Sequence, residues 1–577
     1  MKLLFQMLAA LLLWLFIACN NRTGRTTSKT ADGGAAAEMV VTQPQSNSQG
    51  IVSLPDAIGP APATPVTVHD EMVVSQKSES DDGVLAPPPP EKLEEVRLGE
   101  KLFNTEDYDN IVENRFLAAT QNPLSTFSID VDEAAYSNIR RYINNGSIPP
   151  AGAVRIEEMI NYFDYTYPQP QHDEPFTVNT ELSECPWSPQ HRLVHIGLQG
   201  KEIPVQHLPN ANIVFLIDVS GSMVDPNKLP LVKASMKLLA DQLRPDDKVA
   251  IVVYAGNAGL VLPATSGTNT IAIKEAIDHL DAGGSTAGGA GIQLAYKVAR
   301  ENFIKGGNNR IILATDGDFN VGVSSDDELI SLIEKERNSG VFLSVLGYGM
   351  GNYKDNKMQQ LADKGNGNHS YIDNINEARK VLVSEFGSTL FTIAKDVKIQ
   401  IEFNPAKVQA YRLIGYENRI LAAEDFNDDK KDAGELGSGH TVTALYEVIP
   451  AGIKSEFLGK VDSLKYQPAK IITTTTGGDE LMTIKLRYKK PDGDMSKLIV
   501  HPVTDAHLAL ANTSENFRFS AAVASFGMLL RNSAFKQNAS FQQVVSLAKS
   551  SKGTDANGYR QEFINLVQAA GSLITKN

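Results

Sequence analysis

The sequence predicts an α/β protein: a doubly wound parallel sheet, flanked by a β-rich, sandwich-like domain and followed by a helical C-terminal tail. Three observations carry that prediction. From residue 210 onward, apolar runs of strand length alternate with helically spaced segments, as a parallel sheet covered on both faces requires. On either side lie stretches such as Val397-Lys398-Ile399-Gln400-Ile401-Glu402-Phe403, whose alternation is that of a half-buried antiparallel strand. From Glu515 to Ile574 the apolar residues recur every three or four positions, the spacing of helices.

The 577 residues exceed one core, because domains usually run about 100 to 200 residues, so several units are expected. With 42% hydrophobic and 21% charged residues, the composition is that of a globular protein. A net charge of -14 without Lys/Arg clusters argues against nucleic acid, whose binding rests on cationic patches that neutralise phosphates. The two cysteines, Cys19 and Cys185, make no disulfide framework, and Cys185 in Glu184-Cys185-Pro186-Trp187 reads as a small buried hydrophobe.

In chain order, Lys2 and the apolar run Leu8–Ile17 read as a secretory signal over residues 1–18. The run falls short of the roughly 20 residues that a membrane span needs. Phe16-Ile17-Ala18 before Cys19 resembles the site at which bacterial lipoproteins are cleaved and acylated. That implies a fatty-acyl anchor on Cys19 and a protein tethered to a membrane of the cell envelope without spanning it. Asn20, where an Asp is linked in some bacteria to inner-membrane retention, favours the outer membrane. Residues 19–92, rich in Ser, Thr, Ala, Gly and Pro and closing on Pro87-Pro88-Pro89-Pro90, have no strand or helix period. They read as a tether of about 70 residues, spanning roughly 45 Å if flexible.

An N-terminal region is expected over 93–209, with strands within Phe176–Gly200. The central domain is expected over 210–392: strands Ile213–Ile217, Val249–Tyr254, Ile311–Ala314 and Val341–Leu346 alternate with helices Leu229–Leu243, Ile271–Leu280, Gly291–Phe303, Asp327–Arg337 and Lys354–Lys364. A helical segment, Glu377–Leu390, joins it to a β-rich then helical C-terminal domain over 393–577. The flanking strands are expected to form one sandwich into which the central domain is inserted.

In doubly wound sheets, ligands bind outside the carboxyl ends of the strands, at the switch point. Two polar clusters fall at such ends: Asp218-Val219-Ser220-Gly221-Ser222-Met223 and Thr315-Asp316-Gly317-Asp318. Between them Gly283-Gly284-Ser285-Thr286 opens a helix. Alternate residues of a turn can point to one side, so Asp218, Ser220 and Ser222 would converge as hard oxygen donors. Such donors suit magnesium, whereas zinc would want His or Cys. Asp-x-Ser-x-Ser, a later Thr and a later Thr-Asp-Gly resemble the metal-ion-dependent adhesion site of von Willebrand factor type A (VWA) domains, which have a Rossmann-like fold. The resemblance implies a magnesium ion, with manganese or calcium as alternatives. Ser220, Ser222 and Thr286 would coordinate it by hydroxyl, and Asp218 and Asp316 would hold it directly or through water. The sixth position would take an Asp or Glu carboxylate of a partner protein.

Asn122–Asp132, Tyr136–Arg141 and Val154–Phe163 resemble the N-terminal extension of a bacterial subgroup of VWA proteins. Phe403–Val408, Tyr411–Arg419 and Glu424–Asp429 resemble the same subgroup's C-terminal domain, itself of unknown function. The expectation is therefore a lipid-anchored binding module and not an enzyme. The alternatives are an envelope scaffold with a non-essential metal site and, further off, a magnesium-dependent hydrolase. No Gly-x-Ser-x-Gly elbow, His-Glu-x-x-His helix or phosphate loop occurs, and His207, His279 and His369 have no partner at metal spacing. Asp425-x-Asn427-x-Asp429 lacks the glycine and the closing Glu of a calcium loop.

Overall fold

A computed structural model describes residues 105–129, 132–286, 288–317, 326–385, 391–431, 433–458 and 478–576. The expected signal, Cys19, the tether and Asp318 lie outside them. The flanking region before the central domain supplies β1 (Leu117–Ala118), β2 (Leu124–Ser128), α1 (Ala134–Asn144), α2 (Ile156–Asn161), β3 (Phe176–Cys185) and β4 (Ser188–Gly200). The central domain follows as β5 (Ala211–Asp218), α3 (Leu229–Ala240), β6 (Lys248–Tyr254), β7 (Ala258–Ser266), α4 (Thr270–Asp278), α5 (Gly288–Glu301), β8 (Asn308–Thr315), α6 (Asp326–Asn338), β9 (Val341–Tyr348), α7 (Asp355–Lys364), β10 (His369–Ile372) and α8 (Ile375–Arg379). The chain then returns through β11 (Thr392–Phe403), β12 (Val408–Ile414), β13 (Gly434–Gly437), β14 (Thr441–Pro450), β15 (Glu480–Lys489) and β16 (Lys497–Thr504). It ends in α9 (Glu515–Leu530), α10 (Phe541–Ser550) and α11 (Tyr559–Lys576).

The central sheet runs β10-β9-β8-β5-β6-β7. All eight residues of β5 are buried because the sheet is covered twice. Ile213, Phe215 and Ile217 face a core with α3 and α4, while Val214 and Leu216 face one with α5, α6 and α7. Helix α5 presents Ile292, Ala295, Tyr296 and Ala299 to that second core, the spacing of a one-faced helix. One strand departs from the all-parallel expectation: β7 pairs antiparallel to β6 at the sheet edge. Its residues are half-buried or exposed, and its apolar run, Leu260-Val261-Leu262, is short and closed by Pro263, which a strand tolerates only at a sheet edge. The segment expected as helix Glu377–Leu390 begins as the short α8, widens into a π-helical turn over Lys380–Ser384, and passes beyond the described residues at 386–390.

Strands from both sides of the central domain pair with one another. One five-stranded sheet runs β1-β12-β14-β4-β3, and the other joins β13-β11-β15-β16 with β2 against β11. Thr443 lies opposite Gly197, and Ile399 opposite Phe127. Their inner faces share one core, in which Val194, Ile196, Ala444, Tyr446 and Tyr411 of the first sheet meet Ile399, Ile401, Phe403, Ile484 and Leu486 of the second. This is a sandwich with the central domain inserted between β4 and β11. The outer face of the first sheet is also buried, because Leu193, Ile414 and Leu445 point into a helical layer. That layer is built jointly from both ends of the chain: Tyr136, Ile139 and Met159 of α1 and α2 pack with Phe519, Phe526, Phe563 and Val567 of α9 and α11. Cys185 is fully buried within the same layer.

Gly197 on β4 lies under the ring of Tyr167, where a Cβ would come within 2.4 Å of the ring. The Tyr167 hydroxyl contacts His195 Nε2 at 3.0 Å and Thr443 Oγ1 at 2.7 Å, so the ring cannot swing aside without breaking both. Gly197→Val is expected to cost about 1–3 kcal/mol as an overpacking change, read by chemical denaturation, with Thr443→Val restoring little of it.

His369, at the start of β10, is buried with Nε2 2.9 Å from the Tyr353 hydroxyl, whereas His207 and His279 are exposed. Burial pulls the His369 imidazole down from 6.5 to about 4. Below pH 6.5 the unfolded chain therefore takes up this proton before the folded one does. The stability contributed by the neutral ring is complete above pH 6.5 and is lost as the pH falls toward about 4. Thermal midpoints measured across this window should fall less steeply for His369→Gln than for the wild type.

Candidate metal site

The chain leaves β5 for β6 on one side and later returns to β8 on the other, so the switch point lies at the carboxyl ends of β5 and β8. Asp218 is the last residue of β5, and Asp316 immediately follows β8. Both are fully buried, Ser220 is 1% exposed, and Ser222 is half-buried. The turn after β5 folds back on itself: Ser220 N–H donates to Asp218 Oδ1 at 2.9 Å, and Ser220 Oγ lies 3.1 Å from Ser222 Oγ. Ser222 in turn hydrogen-bonds Asp316, which draws the two strand ends together.

Thr286 arrives on a loop laced to that turn. Gly283 N–H donates to the Val219 carbonyl at 2.7 Å, and Gly221 N–H donates to the Gly284 carbonyl at 3.0 Å. Thr286 is half-buried, two residues ahead of α5. The Asp-x-Ser-x-Ser turn, Asp316 and the Thr286 loop thus meet at one end of the sheet. The glycine after Asp316 is required by backbone geometry: Gly317 has φ +96°, and a Cβ there would meet Lys354 N at 2.6 Å.

The two carboxylates are held differently. Asp218 Oδ2 accepts from the Tyr254 and Thr315 hydroxyls, both at 3.1 Å, so the donors around it are neutral. Burial, with the neighbouring Asp316 charge adding to it, pushes its carboxyl up to about 6 despite those bonds. Asp316 instead accepts from Lys228 Nζ at 2.9 Å, and Asn352 bonds both the ammonium and the carboxylate. Burial alone would raise the Asp316 carboxyl, but the bonds from Asn352 and Lys228, with the Lys228 charge, outweigh it and hold it below the usual range. Lys228, Asn352 and Tyr254 are functional neighbours that the motif did not name, while Thr315, the first residue of its Thr-Asp-Gly, bonds the Asp218 carboxylate. One signal for Lys228 was available: a lysine at the start of a helix opposes the helix dipole and implies a nearby anion.

The donor set fits a hard divalent cation. It combines two buried carboxylates with three hydroxyl residues, and a single ammonium offsets only one of the charges. Among the described residues no group of three or more His, Cys, Asp and Glu gathers elsewhere to hold a metal.

A parallel-centred α/β sheet carrying this turn at its switch point defines a VWA-domain protein, and the von Willebrand factor type A domain model matches residues 212–383. A second model described as von Willebrand factor matches residues 102–195, and the C-terminal model of uncharacterized protein YfbK matches 388–573. The chain belongs to the YfbK family: it is 46% identical over 473 residues to uncharacterized protein YfbK of Escherichia coli (strain K12), covering 81% of each chain. Among solved structures it is similar to a von Willebrand factor type A protein from Catenulispora acidiphila (14% identity, 78% of this chain and 90% of that one, TM-score 0.36). It is also similar to proximal thread matrix protein 1 of the mussel byssus with a zinc-occupied MIDAS motif (26% identity, 31% and 45% covered, TM-score 0.26).

Proposed function

We propose that this protein binds a partner protein through a divalent cation, magnesium by preference, held by Asp218, Ser220, Ser222, Thr286 and Asp316. The observation that carries this reading is the pair of buried carboxylates at the switch point, one of them with neutral donors alone around it. When bound, the ion supplies an electrophilic coordination position for an Asp or Glu carboxylate of the partner. The chain's own residues prepare that position. Tyr254, Thr315 and the Ser220 N–H fix the Asp218 carboxylate, while Lys228 and Asn352 fix Asp316. On the surrounding loops Val224 is 68% and Met350 is 45% exposed, apolar surface of the kind that packs against a protein partner.

In the same reading Cys19 carries the lipid, residues 19–92 are the tether, and the folded body acts at the outer membrane of the cell envelope. The role is binding and not catalysis. Two measurements test this. Cys19→Ala is expected to move the protein from the membrane fraction to the soluble fraction. Affinity capture of envelope proteins by the wild type should yield a partner with magnesium and lose it with chelator and with Asp316→Ala. A partner retained under chelation would instead favour a scaffold acting through the sandwich.

A further inference from the structure

A polar cavity of about 430 Å³ lies between the inserted domain and the sandwich, at the end of the central sheet opposite the metal site. Arg310, near the start of β8, lines it together with Lys364, Asn366, Asn368, Arg419 and Lys431. Roughly 20 Å of strand separates Arg310 from Asp316. Three of its lining cations are paired, Lys364 with Glu334 at 3.0 Å, Arg419 with Asp363 at 2.8 Å and Lys431 with Asp425 at 3.5 Å, which leaves Arg310.

Arg310 stands apart from the other buried arginines. Arg140, Arg155 and Arg412 each meet a carboxylate, at 2.5 Å (Asp373), 3.1 Å (Asp355) and 3.0 Å (Glu447). Arg310 is 2% exposed, yet among the described residues its Nη1 donates to the Ser344 hydroxyl, at 2.7 Å, and its buried Nε finds no acceptor. The ring of Phe342 lies against the guanidinium at 5.5 Å. Among the described residues no carboxylate lies within ion-pair distance of it. Glu435 acts on it across space while bonded to Asn366 at 2.7 Å and Thr392 at 3.2 Å, and Asp363 is held by Arg419 at 2.8 Å. A buried guanidinium is costly without a counter-charge, and its planar array of N–H donors suits an oxyanion.

We propose that this cleft is a binding site for a small anion bearing a carboxylate or phosphate group, which seats on Arg310 and supplies the counter-charge that its guanidinium lacks. The volume is that of a small-molecule site. The site is independent of the metal reading, and its test is run in metal-free buffer without chelator so that the two stand or fall separately.

The test is calorimetric titration of the full chain with inorganic phosphate and with citrate, against chloride at matched ionic strength. Saturable binding of at least one of the two anions is expected, and the tighter arm identifies the class. Arg310→Met should weaken it at least tenfold while leaving the thermal midpoint in chloride unchanged or higher, because the uncompensated charge is gone. Lys431→Glu, on the exposed rim, should weaken it severalfold and serves as the deciding variant if Arg310→Met does not fold. No saturable binding of either anion, or wild-type affinity in whichever variant folds, overturns the proposal.

Discussion

Asp316→Ala is expected to destabilise the protein by about 3–5 kcal/mol in the absence of any metal, because it leaves the Lys228 ammonium buried without its carboxylate. The Lys228 side chain is 6% exposed, and its remaining partner at 3.2 Å is the neutral Asn352. The same substitution is expected to weaken magnesium binding by two orders of magnitude or more, since it removes one of two charged donors. Stability and metal affinity are separable by Asp316→Ala combined with Lys228→Met, which should recover most of the folding free energy and none of the magnesium affinity. Lys228→Met alone should bind magnesium severalfold more tightly than the wild type, because a competing cation has left Asp316. Its thermal midpoint should then rise with magnesium concentration, as ligand linkage requires. The checks are chemical denaturation in chelator and calorimetric titration with magnesium. Equal magnesium affinity in wild type and Asp316→Ala would sink the metal assignment.

Arg140→Met is expected to be at least as severe. One guanidinium ties three parts of the chain together. It donates from Nε and Nη2 to Asp373 at 2.8 and 2.5 Å, from Nη2 to Glu377 at 2.6 Å, and from Nη1 to Glu562 at 2.9 Å. Asp373 and Glu377 belong to the end of the inserted domain, while Glu562 belongs to α11. Removing the guanidinium strands two buried carboxylates, at a cost of about 3–5 kcal/mol. The loss should depend on pH. Burial already raises the Asp373 and Glu562 carboxyls, and without Arg140 they rise further. A carboxyl raised in the folded state stabilises it below the unfolded value, and that stability is lost as the pH rises through the folded value. The variant's deficit relative to wild type should therefore be smallest near pH 4 and full at pH 7. A deficit below about 1 kcal/mol, flat across that range, would mean that the junction is only a surface contact.

Local features carried much of this architecture. The central alternation was legible because a strand buried on both faces must be apolar throughout, as β5 is, and because helices α3 and α5 must show a single apolar stripe. Asp218, Ser220, Ser222 and Asp316 were legible as a site because they sit within a few residues of strand ends, where chain geometry alone brings them to one edge of the sheet. Edge strand β7 was not, since its apolar run Leu260-Val261-Leu262 is only three residues long and is broken by Pro263.

The amino-acid sequence by itself determined most strands and helices of the central domain, the faces they bury, and which short turns hold oxygen donors, since each depends on residues close along the chain. Only the tertiary structure decided that β2 pairs with β11 and β4 with β14, because a period of two shows that one face is buried and says nothing of what covers it. It also decided that Lys228 neutralises Asp316, that Arg140 clamps two domains, and that Arg310 is buried with no carboxylate paired to it among the described residues. Those relations join residues far apart in sequence, and an ion pair is set by which surfaces pack together.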